Sequence, residues 1–115
     1  MRSETLIALK CLTVLAAEKK LMIADDLSAL TDSPMTFTRK VLQNLALKGI
    51  VHSTRGARGG FRFDTSSDVT IAEVMRTCGD DPNEVPYVGP AYNAAVKYRH
   101  ETTITALAKK RKLYR

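Results

Sequence analysis

Two helical patterns separated by a four-residue break constrain the fold of this chain more than any other feature. Hydrophobic residues recur at helical spacing in residues 24–30 and again in residues 34–48. The break between them reads Thr-Asp-Ser-Pro, in which Asp32 or Ser33 is a candidate N-cap for the second helix. Pro34 suits the first helical position, because its missing N–H costs no hydrogen bond there. The pattern predicts a helix-turn-helix, whose second helix can lie in a DNA major groove.

The second predicted helix has two opposed faces. Its apolar face consists of Phe37, Val41, Leu42 and Leu45. Its opposite face consists of Thr36, Arg39, Lys40 and Gln43. Because residues three and four apart lie side by side on a helix, the second set forms one stripe of hydrogen-bond donors. Gly49 suits the left-handed cap that ends this helix. In the shorter helix, Leu27 and Leu30 are expected to point inward.

A basic, glycine-rich hairpin is predicted directly after the second helix. Two alternating runs, Ile50–Arg55 and Phe61–Phe63, predict short strands. The loop between them is Gly56-Ala57-Arg58-Gly59-Gly60, whose glycines allow positive φ and a close backbone approach to phosphate. Arg55 and Arg58 can then reach a minor groove or the DNA backbone. A helix-turn-helix followed by such a hairpin is the winged-helix arrangement, with the wing at residues 50–63.

Further elements flank this unit on the N-terminal and C-terminal sides. Residues 5–18 predict a helix with Ser3 as a candidate N-cap, and Leu21-Met22-Ile23 predicts one small strand. Residues 70–78 predict a helix capped by Thr70, with a glutamate at the capping-box position.

The C-terminal part predicts one long helix after a loop. Residues 79–90 contain glycines and prolines and predict the loop, and residues 91–112 carry a thin apolar stripe: Ala91, Ala95, Tyr98, Ile104, Leu107 and Ala108. A long helix with a modest apolar stripe often packs on a second copy of itself. We therefore expect a mainly α fold with a small β-hairpin, namely a winged-helix domain at 1–78, a loop at 79–90 and a C-terminal dimerisation helix with a basic tail at 91–115.

The charge of the chain is concentrated in two basic blocks. The 115 residues carry a net charge of +6. Residues 39–62 contain six bases and no acid, residues 63–96 have a net charge of −5, and residues 97–115 have a net charge of +6. Such blocks on a small domain indicate a polyanionic partner, most often nucleic acid.

Several classes of protein are disfavoured by the sequence. No apolar run approaches the roughly 20 residues that span a bilayer, and no signal peptide precedes the first helix. We expect a soluble, cytoplasmic protein associated with the nucleoid and not with a membrane. No nucleophile–base pairing, dinucleotide fingerprint or P-loop is present, so we predict that the protein is not an enzyme.

These motifs resemble the Rrf-two (Rrf2) family of bacterial winged-helix regulators, of the IscR, NsrR and CymR types. The resemblance lies in the run Phe37–Val51, in the wing Ser53–Arg62 with its Arg-Gly-x-x-Gly-Gly-aromatic pattern, and in Ile71-Ala72-Glu73-Val74. It covers residues 1–78 and fades past residue 79.

The resemblance implies a homodimer that binds double-stranded DNA at a pseudo-palindromic operator, usually as a repressor. By position, the stripe on the second helix would face bases and phosphates in the major groove, and Arg55 matches the wing arginine that enters the minor groove. Together with the residue-level reasoning, this predicts a DNA-binding set consisting of Ser33, Thr36, Arg39, Lys40, Gln43, Arg55, Gly56, Arg58 and Arg62.

One departure from the family concerns its cofactor. Many members hold an iron–sulfur cluster through three cysteines between the helix after the wing and the last helix, whereas residues 79–115 contain no cysteine here. A cluster needs about four ligands, commonly thiolates, and this chain has only Cys11 and Cys78. We predict no cluster, no other cofactor and no metal, and we expect both cysteines to be small core residues.

Two other functions fit the sequence. A non-specific architectural nucleic-acid binder would use the wing and the basic tail. A protein-interaction module is the other alternative, since winged helices also serve as docking surfaces.

Overall fold

The computed structural model describes residues 2–83 and 100–113, with side chains up to residue 109. The elements are α1 (Ser3–Glu18), α2 (Ala24–Thr31), α3 (Met35–Leu47), β1 (His52–Thr54), β2 (Gly60–Arg62), α4 (Ile71–Thr77) and α5 (Ile104–Leu113). The strands form one antiparallel hairpin, in which His52 pairs with Arg62. The predicted fold class, mainly helical with a small hairpin, is confirmed.

Helix α1 lies at the centre of the core. Its side chains at Cys11, Leu12 and Leu15 are fully buried, and the helix packs against α2, α3, α4 and α5. The predicted N-cap at Ser3 is wrong, because the helix begins at Ser3 and its N-cap is Arg2, which makes no side-chain cap bond. The helix ends at Lys19, which adopts a left-handed conformation with φ 55°.

The break between α2 and α3 differs in detail from the prediction. Asp32 is the left-handed C-cap of α2, with φ 50°, and does not cap α3. The N-cap of α3 is Pro34 in an extended conformation, with no side-chain cap bond, so Pro34 is one position earlier than predicted and Ser33 is not the cap. The turn is held instead by backbone and hydroxyl groups within residues 28–33.

The inward faces of α2 and α3 are partly as predicted. Leu27, Val41, Leu42 and Leu45 are buried, as expected. Leu30 and Phe37 are not, with exposed fractions of 58% and 47%. The fully buried position on the first turn of α3 is Thr38, whose hydroxyl donates to the Pro34 carbonyl at 2.9 Å. Helix α3 buries only one of its faces. That face is centred nearer to Thr38 than the sequence pattern predicted, so Phe37 is left exposed.

The hairpin is joined to the segment before α2. Met22 and Phe61 exchange two backbone hydrogen bonds of 2.9 and 2.8 Å, so the predicted small strand at residues 21–23 exists as a single bridge. A Cβ at Gly60 would lie 2.7 Å from the Met22 carbonyl oxygen, so only glycine lets these backbones approach. This contact fixes the wing relative to the helix-turn-helix.

Helix α4 follows the hairpin as predicted. The Thr70 side chain caps it by accepting from the backbone N–H of Glu73 at 3.2 Å. Val74, Met75 and Cys78 are buried on its inner face.

The C-terminal part is not one uninterrupted helix from 91 to 112. Thr103 pairs with Thr70 as an isolated bridge, and α5 begins only at Ile104. The backbone N–H of Ile71 donates to the Thr102 carbonyl, and that of Ile104 donates to the Val69 carbonyl, both at 2.9 Å. These non-local bonds replace helical bonds and interrupt the helix.

Helix α5 packs on its own chain. Ile104 and Ala108, from the predicted apolar stripe, are buried against the core that contains α1. Ala91, Ala95 and Tyr98, which belong to the same predicted stripe, lie outside the described residues, as does most of the predicted loop at 79–90. Among the described helices, none has the length and apolar character needed to cross a membrane.

Candidate nucleic-acid interface

The outward face of α3 carries the predicted stripe of polar side chains. Thr36, Arg39, Lys40 and Gln43 are all exposed. They lie opposite the buried positions of the same helix, namely Thr38, Val41, Leu42 and Leu45. Packing of one face therefore leaves four donor-bearing side chains available on the other.

One residue of this outward face was missed by the sequence reasoning. Leu47 lies four residues after Gln43 on the same row of the helix, and it is 85% exposed. The signal was present in the sequence, since the row that begins at Thr36 continues through Lys40 and Gln43 to position 47. The polar stripe thus ends in an apolar side chain.

The wing presents its predicted basic side chains to solvent. Arg55, Arg58 and Arg62 are exposed, with Arg55 directly after β1 and Arg62 at the end of β2. Gly56 has φ 105° and open space around it, so it supplies the turn conformation that other residues avoid.

Two wing glycines serve the hairpin itself. A Cβ at Gly59 would lie 2.3 Å from the Thr54 carbonyl oxygen, and Gly60 approaches Met22 as described. These two glycines therefore allow a close approach to the protein's own backbone, in addition to the approach to phosphate predicted for the loop.

A groove separates the end of α3 from the wing. Its lining combines polar, apolar and cationic groups: Gln43, Ala46, Leu47, Ser53, Arg55 and Phe61. The groove brings together Gln43, at the end of the helix stripe, and the wing arginine Arg55, which are separate in sequence.

Ser33 is placed differently from the other predicted site residues. It is buried, and its hydroxyl accepts from the Thr31 hydroxyl at 3.0 Å. Its carbonyl accepts from the Ser28 hydroxyl at 2.6 Å. The side chain of Ser33 therefore holds the turn and is not presented with the stripe.

Arg39 has a carboxylate partner on the neighbouring helix. Its Nη2 atom lies 3.5 Å from Oδ1 of Asp25, in the first turn of α2. Both side chains remain more than half exposed, at 56% and 61%. This pair could not be predicted from the sequence, because it depends on the packing of α2 against α3.

The two cysteines do not fit an iron–sulfur cluster. Cys11 is buried in the core, which raises the pKa of its thiol to about 11. Burial also raises the pKa of the Cys78 thiol. Within the described ranges, no three His, Cys, Asp or Glu side chains gather as metal ligands. Since a cluster needs about four ligands, commonly thiolates, two buried thiols in these 115 residues do not form its donor set.

The helix-turn-helix, the adjoining wing and the basic outward face define a winged helix-turn-helix protein. The chain belongs to the Rrf2 family, whose description is "Iron-dependent Transcriptional regulator" and which matches residues 1–112. The family is one of transcriptional regulators, as the sequence resemblance implied.

Curated relatives carry a consistent name. The chain is 32% identical over 75 residues to a protein of Aquifex aeolicus (strain VF5) named "Putative HTH-type transcriptional regulator". It is 33% identical over 85 residues to a protein of the same description from Mycobacterium tuberculosis (strain H37Rv). The matches cover 64% and 65% of this chain, and the chain spans about half of each relative, 52% in both cases.

Solved structures of regulators share the fold. CymR of B. subtilis, named as its global cysteine regulator, matches with a TM-score of 0.77 and 21% identity, over 96% of each chain. IscR of T. potens matches with a TM-score of 0.73 and 12% identity, over 96% of this chain and 86% of that one. At these identities the likeness establishes the fold alone.

Proposed function

We propose that the protein is a sequence-specific DNA-binding transcriptional repressor that acts as a homodimer on a pseudo-palindromic operator. The observation that carries the proposal is the exposed stripe Thr36, Arg39, Lys40 and Gln43, whose last member, Gln43, lines one groove with the wing arginine Arg55. Membership in a family of transcriptional regulators supports it. A partner of this kind places the protein in the cytoplasm, on the nucleoid.

The side chains of the stripe suit the edges of bases in the major groove. Arg39 can donate two hydrogen bonds to guanine, and Gln43 can pair in the same bidentate way with adenine. Lys40, also exposed, is a point charge suited to phosphate. Specificity would therefore come mainly from Arg39 and Gln43.

The wing and the end of α3 supply contacts of a second kind. Arg55 would enter the minor groove, while Lys48, Arg58 and Arg62 would contact phosphates. All four side chains are exposed. Because each neutralised phosphate releases counterions, these contacts make affinity steeply dependent on salt.

Two copies would read two half-sites. In helix-turn-helix dimers the recognition helices enter successive major grooves about 34 Å apart. The apolar stripe of the sequence predicts dimerisation through the C-terminal segment 91–115. The described helix of this segment, α5, packs on α1 of its own chain, and we propose that the segment as a whole also contacts the partner.

We propose that this regulator acts without an iron–sulfur cluster bound to its own cysteines. The support is the donor set, which consists of two buried cysteines on different helices. The signal that controls the protein would then be read by other groups.

Selection from a random double-stranded DNA library at roughly physiological salt tests the proposal. We expect a two-fold symmetric motif. Binding without an enriched motif would favour the architectural function, and absence of binding would favour the protein-interaction module.

The wing is tested by Arg55→Ala on the selected duplex. We expect binding to weaken at least about tenfold, with a smaller slope of log affinity against log salt, because one phosphate or minor-groove contact is lost. Arg76→Ala removes another exposed arginine, on α4, that is not among the predicted DNA-binding residues, and it should change affinity little. Equal affinity of the Arg55 and Arg76 variants would remove Arg55 from the interface.

A further inference from the structure

The ion pair between α2 and α3 joins a residue of the candidate DNA-reading stripe to a residue outside it. The two atoms, Nη2 of Arg39 and Oδ1 of Asp25, are 3.5 Å apart. Exposed ion pairs contribute little to folding stability, so stability alone gives this pair a weak reason to exist. Its position beside the stripe suggests a role in recognition.

A carboxylate at this place has a cost for a protein that binds DNA. The first helix of a helix-turn-helix crosses the DNA backbone, where a negative charge is repelled by phosphates. Asp25 and Asp26 both lie in the first turn of α2, where either one stabilises the helix dipole. Only Asp25 of these two forms an ion pair among the described residues.

The chemistry of arginine explains what Asp25 can provide. A guanidinium has five N–H donors in a planar fork, and a free arginine side chain must lose rotamer freedom before two of them can meet a base. The contact to Asp25 involves only the Nη2 atom of Arg39. The other N–H donors of the guanidinium do not contact that carboxylate. The contact restricts the orientation of the fork in advance of binding.

We propose that Asp25 is a positioning residue that orients Arg39 for reading a base edge in the major groove, so that it increases sequence discrimination and not overall affinity. This inference rests on the proposed DNA-binding function. It assigns to α2 a part in specificity although Asp25 itself would touch no base.

Asp25→Asn and Asp26→Asn form a matched pair for the test, since they remove the same charge from adjacent exposed positions of one helix. Affinity of the full chain is measured for the duplex selected by the unmodified protein and for a random-sequence duplex of equal length. Asp26→Asn should raise both affinities alike, because a repulsive charge is removed. Asp25→Asn should raise affinity for the random duplex but lower the ratio of selected to random affinity about twofold to fivefold, the range that the free energy of an exposed ion pair allows.

Arg39→Ala completes a double-mutant cycle. Once Arg39 is absent, Asp25→Asn should leave the ratio unchanged, because there is no fork to orient. Equal ratios for the Asp25 and Asp26 variants, or an undiminished effect of Asp25→Asn without Arg39, would overturn the inference and leave the DNA-binding function intact. If the unmodified protein selects no motif, sequence-specific function fails, and the inference fails with it.

Discussion

The N-terminus of α1 depends on a carboxylate from the far end of the winged-helix unit, and this dependence can be measured. Oδ2 of Asp80 accepts from the backbone N–H of Arg2 at 3.0 Å and also from the Thr5 hydroxyl. Helix α1 has no side-chain cap of its own, so Asp80 takes the place of an N-cap residue. Asp80→Ala removes both contacts.

The expected loss of stability follows from the two contacts. Removing an N-cap acceptor costs about 0.5–2 kcal/mol. Loss of the hydrogen bond from the Thr5 hydroxyl, whose residue is 0% exposed, costs about 0.5–1.5 kcal/mol. Because one oxygen accepts both bonds, the costs overlap, and we expect the free energy of unfolding to fall by about 2 kcal/mol. For a domain of this size the melting temperature should fall by about 10 °C.

Urea and thermal unfolding followed by circular dichroism measure this loss, with Asp81→Ala as the control. Asp81 accepts one backbone hydrogen bond, from Asn83, in an exposed turn, so its removal should change stability by less than about 0.5 kcal/mol. Asp80→Asn keeps an oxygen acceptor and should recover most of the loss. The reasoning is refuted if Asp80→Ala and Asp81→Ala unfold alike.

The same contacts predict a pH dependence. The Thr5 hydroxyl first, and then the Arg2 backbone N–H, lower the pKa of the Asp80 carboxyl in the folded protein. A lowered folded pKa stabilises the protein above the unfolded value of about 3.9 and loses this effect as the pH falls through the folded value. The stability difference between the unmodified protein and Asp80→Ala should therefore shrink below about pH 4, and a difference constant with pH would contradict this origin.

Two further predictions concern the wing and the cysteines. Gly60→Ala should lower the free energy of unfolding by about 2 kcal/mol, because its Cβ would force apart the Met22–Phe61 bridge; an unchanged urea midpoint would show that the bridge adapts freely. Cys11 and Cys78 should react with an aromatic disulfide reagent at pH 8 only after unfolding, because both thiols are buried and have raised pKa values. Fast release of one equivalent of the aromatic thiol by the native protein would contradict the burial of both cysteines.

Some features with a local physical cause were predicted well from the sequence, although the N-caps predicted at Ser3 and at Asp32 or Ser33 were wrong. The Thr70 cap of α4 depends on a side chain and an N–H three residues apart, and the glycine-rich wing depends on turn chemistry. Likewise, the donors on α3 share a face because of helical periodicity alone, so their exposure could be predicted.

Features that depend on packing between distant segments could not be predicted. The cap of α1 comes from a residue 78 positions away, and Thr103 leaves the helical conformation because it pairs with Thr70. Phe37 was expected to be buried because it belongs to the apolar stripe of α3. The stripe shows the helical period, but it does not show which residues of α3 contact α1. The Asp25–Arg39 pair has the same origin, since it forms only where α2 and α3 pack together.

The bonds at the two ends of α4 have a consequence for how the chain can diversify. Asp80 is hydrogen-bonded to the N-terminus of α1, and Thr103 pairs with Thr70. These two contacts anchor the chain to the winged-helix unit before and after the segment between them. These two anchors lie at opposite ends of a seven-residue helix, so they are separated by only about 10 Å. The two anchors fix the ends of the chain between them, and changing the length of a segment whose ends are fixed close together costs little free energy. A change of length between the two anchors is therefore expected to leave the geometry of the winged-helix unit unchanged.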